Sequence, residues 1–202
     1  MIDAPTLPTL VASRVKLRWL TDADVPALYA VFSHEEAMRY WSTPAMTQMV
    51  QASEYLRAIQ AGFAEKNLFQ WGIALLKTDE IIGTCTLHQL DARNRRAEIG
   101  FALNPAYWGQ GYASEAVGRA LQFAFGPLRL HRIEADTDPR NTASIAVLKR
   151  LGFAQEGHLR ERWLTHGQAQ DSALFGLLAS DWRAMQTQGQ AQGQRAQNAQ
   201  NV

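Results

Sequence analysis

The chain has 202 residues, of which 47% are hydrophobic, a balance that suits one globular domain with a sizeable core. With 20 Lys and Arg against 19 Asp and Glu the formal charge is +1, so no global field draws the protein to nucleic acid or to an anionic membrane. The lone Cys85 rules out an intramolecular disulfide and a cysteine-based metal site, and no export signal or bilayer-length apolar run is present, so a cytoplasmic location without metal, nucleic-acid or membrane partner is expected.

Residues 1–13 hold two prolines and little periodicity and read as an N-terminal arm. Alternation begins at Arg14 and predicts a strand through Leu20. Thr21 then has the place of an N-cap, with Asp22 and Asp24 in the first turn and Val25, Leu28, Tyr29 and Phe32 at helical spacing. A second helix is predicted from Thr47 to about Lys66, on the rhythm of Met49, Ala52, Leu56, Ile59 and Phe63. Between the two helices, Tyr40 and Trp41 are either the lining of a substrate mouth or further core aromatics.

Two β-like runs follow, Phe69–Leu76 and Ile81–Leu90, joined by the polar Lys77-Thr78-Asp79-Glu80. A third runs from Arg96 to Leu103, with Ala97, Ile99, Phe101 and Leu103 on one face and Glu98, Gly100 and Ala102 on the other. Three strands without an intervening helix predict an antiparallel meander. Beyond it the order becomes strand, helix, strand, helix and a final hairpin about Gly167. The fold class is therefore α/β, a mixed and mostly antiparallel central sheet flanked by helices. Residues 14–183 make up the folded domain, and the glutamine-rich residues 184–202 read as a disordered tail.

After Asn104-Pro105, the run Trp108-Gly109-Gln110-Gly111-Tyr112-Ala113 leads into a helix whose Ala116, Val117, Ala120, Leu121 and Ala124 form one apolar face. Helix N-termini carry unpaired amides and partial positive charge, and glycines let an anion come close, so this loop reads as a diphosphate cradle. A dinucleotide fingerprint needs a third glycine where Ser114 stands. A nucleoside-triphosphate loop needs a lysine, and none occurs between Lys77 and Lys149.

These pieces together resemble the GNAT family of acyl-CoA-dependent N-acetyltransferases, whose cofactor motif is Gln/Arg-x-x-Gly-x-Gly/Ala ahead of a helix. The first position here is Trp108, as in the ribosomal-protein (RimJ/RimL-type) branch. The same branch is suggested by Ala97-Glu98-Ile99-Gly100, by Asn141, Ser144 and Leu151-Gly152-Phe153, and by Asp171 and Asp181-Trp182. The resemblance spans roughly residues 14–182. It implies a splayed pair of strands for CoA, with acetyl-CoA as co-substrate. Backbone amides from Gly109, Gln110, Gly111, Tyr112, Ala113 and Ser114 would hold the diphosphate, and the strand at Phe101 and Leu103 would pair with pantetheine. Asn141 would contact the pantetheine region, serve as a helix N-cap, or both. An amine acceptor is the implied partner, and a homodimer is allowed.

Attack of an amine on a thioester needs an unprotonated amine, polarisation of the carbonyl and a proton for the departing thiolate. Glu98 is the candidate base. In many GNAT enzymes a tyrosine protonates the thiolate, but the aligned position here is Leu148, which leaves Ser144 as the substitute. That absence also keeps open a CoA-binding module without turnover. His88, Glu161 and His166, with Tyr40 and Trp41, are candidates for the acceptor side. At pH 7 an α-amine of pKa about 8 is roughly 10% neutral and a lysine-type amine about 0.04%, so a protein N-terminus demands less of the base. Small amines, including amino-acid derivatives, polyamines and antibiotics, remain the alternative.

Overall fold

The computed structural model describes residues 2, 4–165 and 167–188. Eight strands form one sheet: β1 (Leu10–Val11), β2 (Val15–Arg18), β3 (Leu68–Leu75), β4 (Ile81–Asp91), β5 (Arg96–Leu103), β6 (Arg132–Thr137), β7 (Ala154–Thr165) and β8 (Gln168–Leu178). Their order is β1-β2-β3-β4-β5-β6-β8-β7, and every neighbouring pair is antiparallel except β5 and β6. The helices are α1 (Val25–Phe32), α2 (Glu35–Met38), α3 (Met49–Ala64), α4 (Tyr112–Phe125) and α5 (Thr142–Arg150), followed by α6 over residues 179–188.

The alternation of β5 divides the protein into two cores. Ala97, Ile99 and Leu103 join the cluster that contains Trp71, Leu121 and the apolar face of α4. Ala102, on the opposite face, joins Leu28, Phe32, Leu56 and Ile59 beneath α1 and α3. At the entry to α1, Thr21 and Asp24 form a reciprocal capping box ahead of a single 3-10 turn. Arg18 donates to both oxygens of Asp24, at 2.8 and 2.9 Å, so this buried carboxylate has its charge and its lone pairs met.

Three features differ from expectation. The N-terminal arm is partly built into the sheet: Leu10 and Val11 pair with β2, and Leu7 and Leu10 are buried. Leu7 and Leu10, eight and five residues ahead of Val15, extend the core. Met49, expected on the buried stripe of α3, is exposed, because the helix begins there and its packed face starts at Ala52. Residues 184–188 continue α6, with Trp182 buried against the core; the rest of the expected tail, 189–202, lies outside the described residues.

Candidate active site

β5 and β6 run side by side only from Arg96–Arg132 to Glu98–Glu134. Beyond that point β5 continues to Leu103 and β6 to Thr137 without pairing, so the sheet opens into a V. The amide of Asn104 donates to Ile82 O on β4, so the even-numbered residues of β5 turn their backbone groups toward β4. Those of Ile99, Phe101 and Leu103 then face the opening, where an extended chain could add to the edge. The Leu103 carbonyl already accepts the Trp108 indole N–H at 2.8 Å, which leaves its amide and both groups of Phe101 for a ligand.

Glu98 stands at the apex of the V. Its side chain is 20% exposed, and burial, reinforced by the charges of Asp136 and Glu134, lifts its carboxyl to a pKa of about 7. Gln89 Nε2 donates to Glu98 Oε2 at 3.2 Å, and His88 Nε2 lies 3.5 Å from Oε1. Burial lowers the His88 pKa, so at neutral pH its ring is uncharged and does not fix Glu98 as a carboxylate. Gln89 has φ of 50° and sits where the β4–β5 register breaks between His88 and Asp91. A bulge that turns a side chain toward a half-buried carboxyl is a costly local arrangement for a non-glycine residue.

The loop before α4 takes the shape of an anion cradle. Gly109 and Gly111 have φ of 70° and 82°, conformations that glycine adopts without a Cβ penalty. A Cβ at Gly109 would meet no atom within 4 Å, so that side of the loop is open to a ligand. The helical ladder starts with Glu115 N to Gly111 O, which leaves the amides of Tyr112, Ala113 and Ser114 ahead of it. Glu115 holds the cradle to β2 through the amide and guanidinium of Arg14, and Arg14 Nη1 also caps the Gln110 carbonyl at 3.1 Å. Arg150 donates to Ser114 Oγ at 3.2 Å, placing a cation beside the cradle.

A cleft of about 480 Å³ runs along the open V. It brings together Glu98, Phe101, Asn141 and Ser144 with His88, Tyr40 and Trp41. Asn141 Oδ1 accepts the Ser144 amide at 3.1 Å, so Asn141 is the N-cap of α5, and both residues line the cleft. Leu148 is buried in the cleft wall and offers no proton donor. Glu161 does not line the cleft. It occupies an irregular stretch of β7 with φ of 53°, where its amide is held by Asp171 Oδ1 and its side chain is exposed. Trp163 takes that place on the wall. His166 lies outside the described residues.

Several cleft residues escape the sequence pattern. Asp136 accepts from Ser172 Oγ and from Trp163 Nε1 at 3.2 Å and forms an ion pair with Arg162 Nε at 3.2 Å, tying the β7–β8 hairpin to β6. The alternation of Glu134 and Asp136 along β6, continued by Asp138 just past its end, is the signal that could have marked this polar face. For Gln89, Arg39 and Arg140 no periodic signal exists, because turns and a bulge deliver them.

The family description "acetyltransferase (GNAT) domain" fits residues 14–154. The chain belongs to the GNAT acetyltransferase family. It is 36% identical over 171 residues, 85% of this chain and 97% of the relative, to the uncharacterized N-acetyltransferase YoaA of Bacillus subtilis. Among solved structures it resembles Mycobacterium smegmatis RimJ in complex with CoA-disulfide, at 25% identity and a TM-score of 0.77, covering 86% of this chain and 88% of that one. It also resembles the spermidine N-acetyltransferase of Vibrio cholerae in complex with CoA and spermine, at 23% identity and a TM-score of 0.75, covering 84% and 98%. The GNAT fold and an N-acetyltransferase activity follow. Among the described residues no helix is long and apolar enough to cross a membrane, and no cluster of His, Cys, Asp and Glu has metal-site geometry.

Proposed function

We propose that this GNAT enzyme transfers an acetyl group from acetyl-CoA to an α-amine, with Glu98 as the base. The observation that carries this reading is a half-buried carboxyl of pKa about 7 at the point where β5 and β6 part. Acetyl-CoA supplies an activated thioester. The open edge at Phe101 and the cradle of Gly109 to Ser114 fit its pantetheine and diphosphate: one offers unpaired strand groups and the other unpaired amides beside Arg150.

Glu98, ionised above about pH 7, takes the proton that the amine must lose, directly or through one water. Transfer from an α-amine of pKa about 8 is uphill by roughly one unit, or about 1.4 kcal/mol. From an alkylamine near 10.4 it is uphill by about 3.4 units, or roughly 4.6 kcal/mol. The difference favours an α-amine over a polyamine. Gln89 holds the receiving oxygen in place. Ser144, which lines the cleft near the start of α5, is the donor we assign to the departing thiolate.

The reading is tested by thiol release from acetyl-CoA across α-amino peptides, amino-acid derivatives and aliphatic polyamines, with calorimetric titration of acetyl-CoA. Micromolar binding and fastest turnover of an α-amine are expected. Absence of acetyl-CoA binding, or preference for an aliphatic polyamine, overturns it. Binding with no transfer to any amine would favour a CoA-binding module, the reading that Leu148 at the place of the acid motivates.

A further inference from the structure

We infer that the mouth of the cleft reads an anion on the acceptor, so that the molecule acetylated carries a carboxylate a few bonds from its reacting amine. This inference rests on the assignment of the cleft as the acetyl-transfer site. Two guanidiniums gather at one phenol ring there. The Arg39 guanidinium carbon lies 5.5 Å from the centre of the Tyr40 ring, and that of Arg140, reaching in from the far side of the V, lies 6.0 Å away. Arg140 is fixed in place: its Nε donates to Asp138 Oδ1 at 2.9 Å, and its Nη2 donates to Asp138 Oδ2 and to Gln170 Oε1. Its Nη1 has no hydrogen-bond partner among the described residues. Arg39 is exposed and makes no ion pair among them.

The carboxylates of the wall are committed elsewhere. Asp136 is bound by Arg162 and Trp163, Asp138 by Arg140, and Asp171 by His158 at 2.9 Å and the Glu161 amide. Among the described residues of the lining, Asp136 and Asp138 are paired with arginines and Asp171 is hydrogen-bonded, while Arg39 makes no ion pair and stands beside the spare donors of Arg140. A polyamine would bring a second ammonium against Arg39. A carboxylate would instead meet the in-plane N–H edges of two guanidiniums gathered beside one aromatic ring, where charge-assisted bonds can form. The carboxylate could belong to an acidic residue behind the N-terminus of a peptide or to a small amino-acid derivative. The chemistry is the same and the test separates the sources.

The test measures acetyl transfer by the full chain to two matched pairs: a short peptide with Asp or Asn in second position, and a free α-amino acid or its α-amide. A linear triamine is the cationic control. In at least one pair the carboxylated member is expected to have kcat/KM roughly tenfold higher, mostly through KM, and that pair names the source. The preference is expected to shrink in high salt, to fall within about twofold in Arg39→Gln, and to be partly kept in Arg39→Lys. Preference for the neutral members or for the triamine overturns the inference, as does a preference that survives Arg39→Gln. If nothing in the panel turns over, calorimetry of the same pairs on the CoA-loaded protein gives the comparison, and equal or absent binding overturns it. Unchanged turnover in Glu98→Gln would remove the base assignment and leave the ratio between pair members intact.

Discussion

Glu98 and Glu134 are the last residues in register across the parallel seam of the sheet, and beyond them the two strands part. The carboxyl proposed as the base and the slot proposed for the cofactor therefore share one origin. The same divergence that frees the β5 edge leaves Glu98 half-buried among acidic neighbours, and that raises its pKa.

Gln89→Ala should lower kcat roughly tenfold and shift the acidic limb of the pH profile upward. The Gln89 amide donates to the ionised form of Glu98, so its removal disfavours that form and raises the pKa above about 7. Steady-state rates between pH 5.5 and 9 read both effects. An unmoved limb would show that the bulge has no bearing on the base.

Glu98 should also cost stability at alkaline pH. Its folded pKa of about 7 lies above the ordinary value of 4.5, so the folded state binds the proton more tightly than the unfolded chain. Stability is therefore fully kept below about pH 4.5 and declines as pH rises to about 7, by up to roughly 3 kcal/mol before solvent screening. Glu98→Gln should be more stable than the parent at pH 8 and should flatten this stretch of the curve in urea titrations.

Gly111→Ala should weaken CoA binding at least roughly tenfold while lowering stability by about 1–2 kcal/mol. The residue caps α4 at φ of 82°, and an added Cβ would sit 3.3 Å from Arg14 Nη2. Relaxing that strain would swing the loop amides away from their common focus. Calorimetry with CoA and a thermal melt separate the two effects.

Asp24→Asn should cost about 2 kcal/mol at pH 7, because Arg18 would lose its buried bidentate partner and keep only the more exposed Asp79. Burial alone would raise the Asp24 pKa, but the Arg18 and Thr21 bonds outweigh it and hold the carboxyl below its usual range. Its stabilisation is thus present above about pH 4 and lost as pH falls through the lower, folded value. Urea unfolding at pH 7 and pH 3 should show the difference between parent and variant shrinking in acid.

Much of the site is legible in sequence because its signals are local. The spacing of Ala116, Val117, Ala120 and Leu121 fixes the face of α4, and the glycines at 109 and 111 fix the turn ahead of it. Alternation places Glu98 opposite the buried Ala97 and Ile99. The acceptor side is not legible in that way. Trp163 replaces Glu161 on the wall because β7 carries two extra residues between Leu159 and Trp163, so that Trp163 stands opposite Gln170, where an unbroken register would put Glu161. Arg39 and Arg140 lie about a hundred residues apart and meet only through the Tyr40 ring.

The role of Glu98 is tested most directly by the pH dependence of kcat for thiol release in the parent and in Glu98→Gln, with one good α-amine acceptor at saturation. Expected is a parent rate that rises through a limb near pH 7 and then levels, and a variant that has lost that limb and roughly 10²-fold in rate. A variant with the parent's rate and the parent's limb would contradict the assignment of Glu98 as the base.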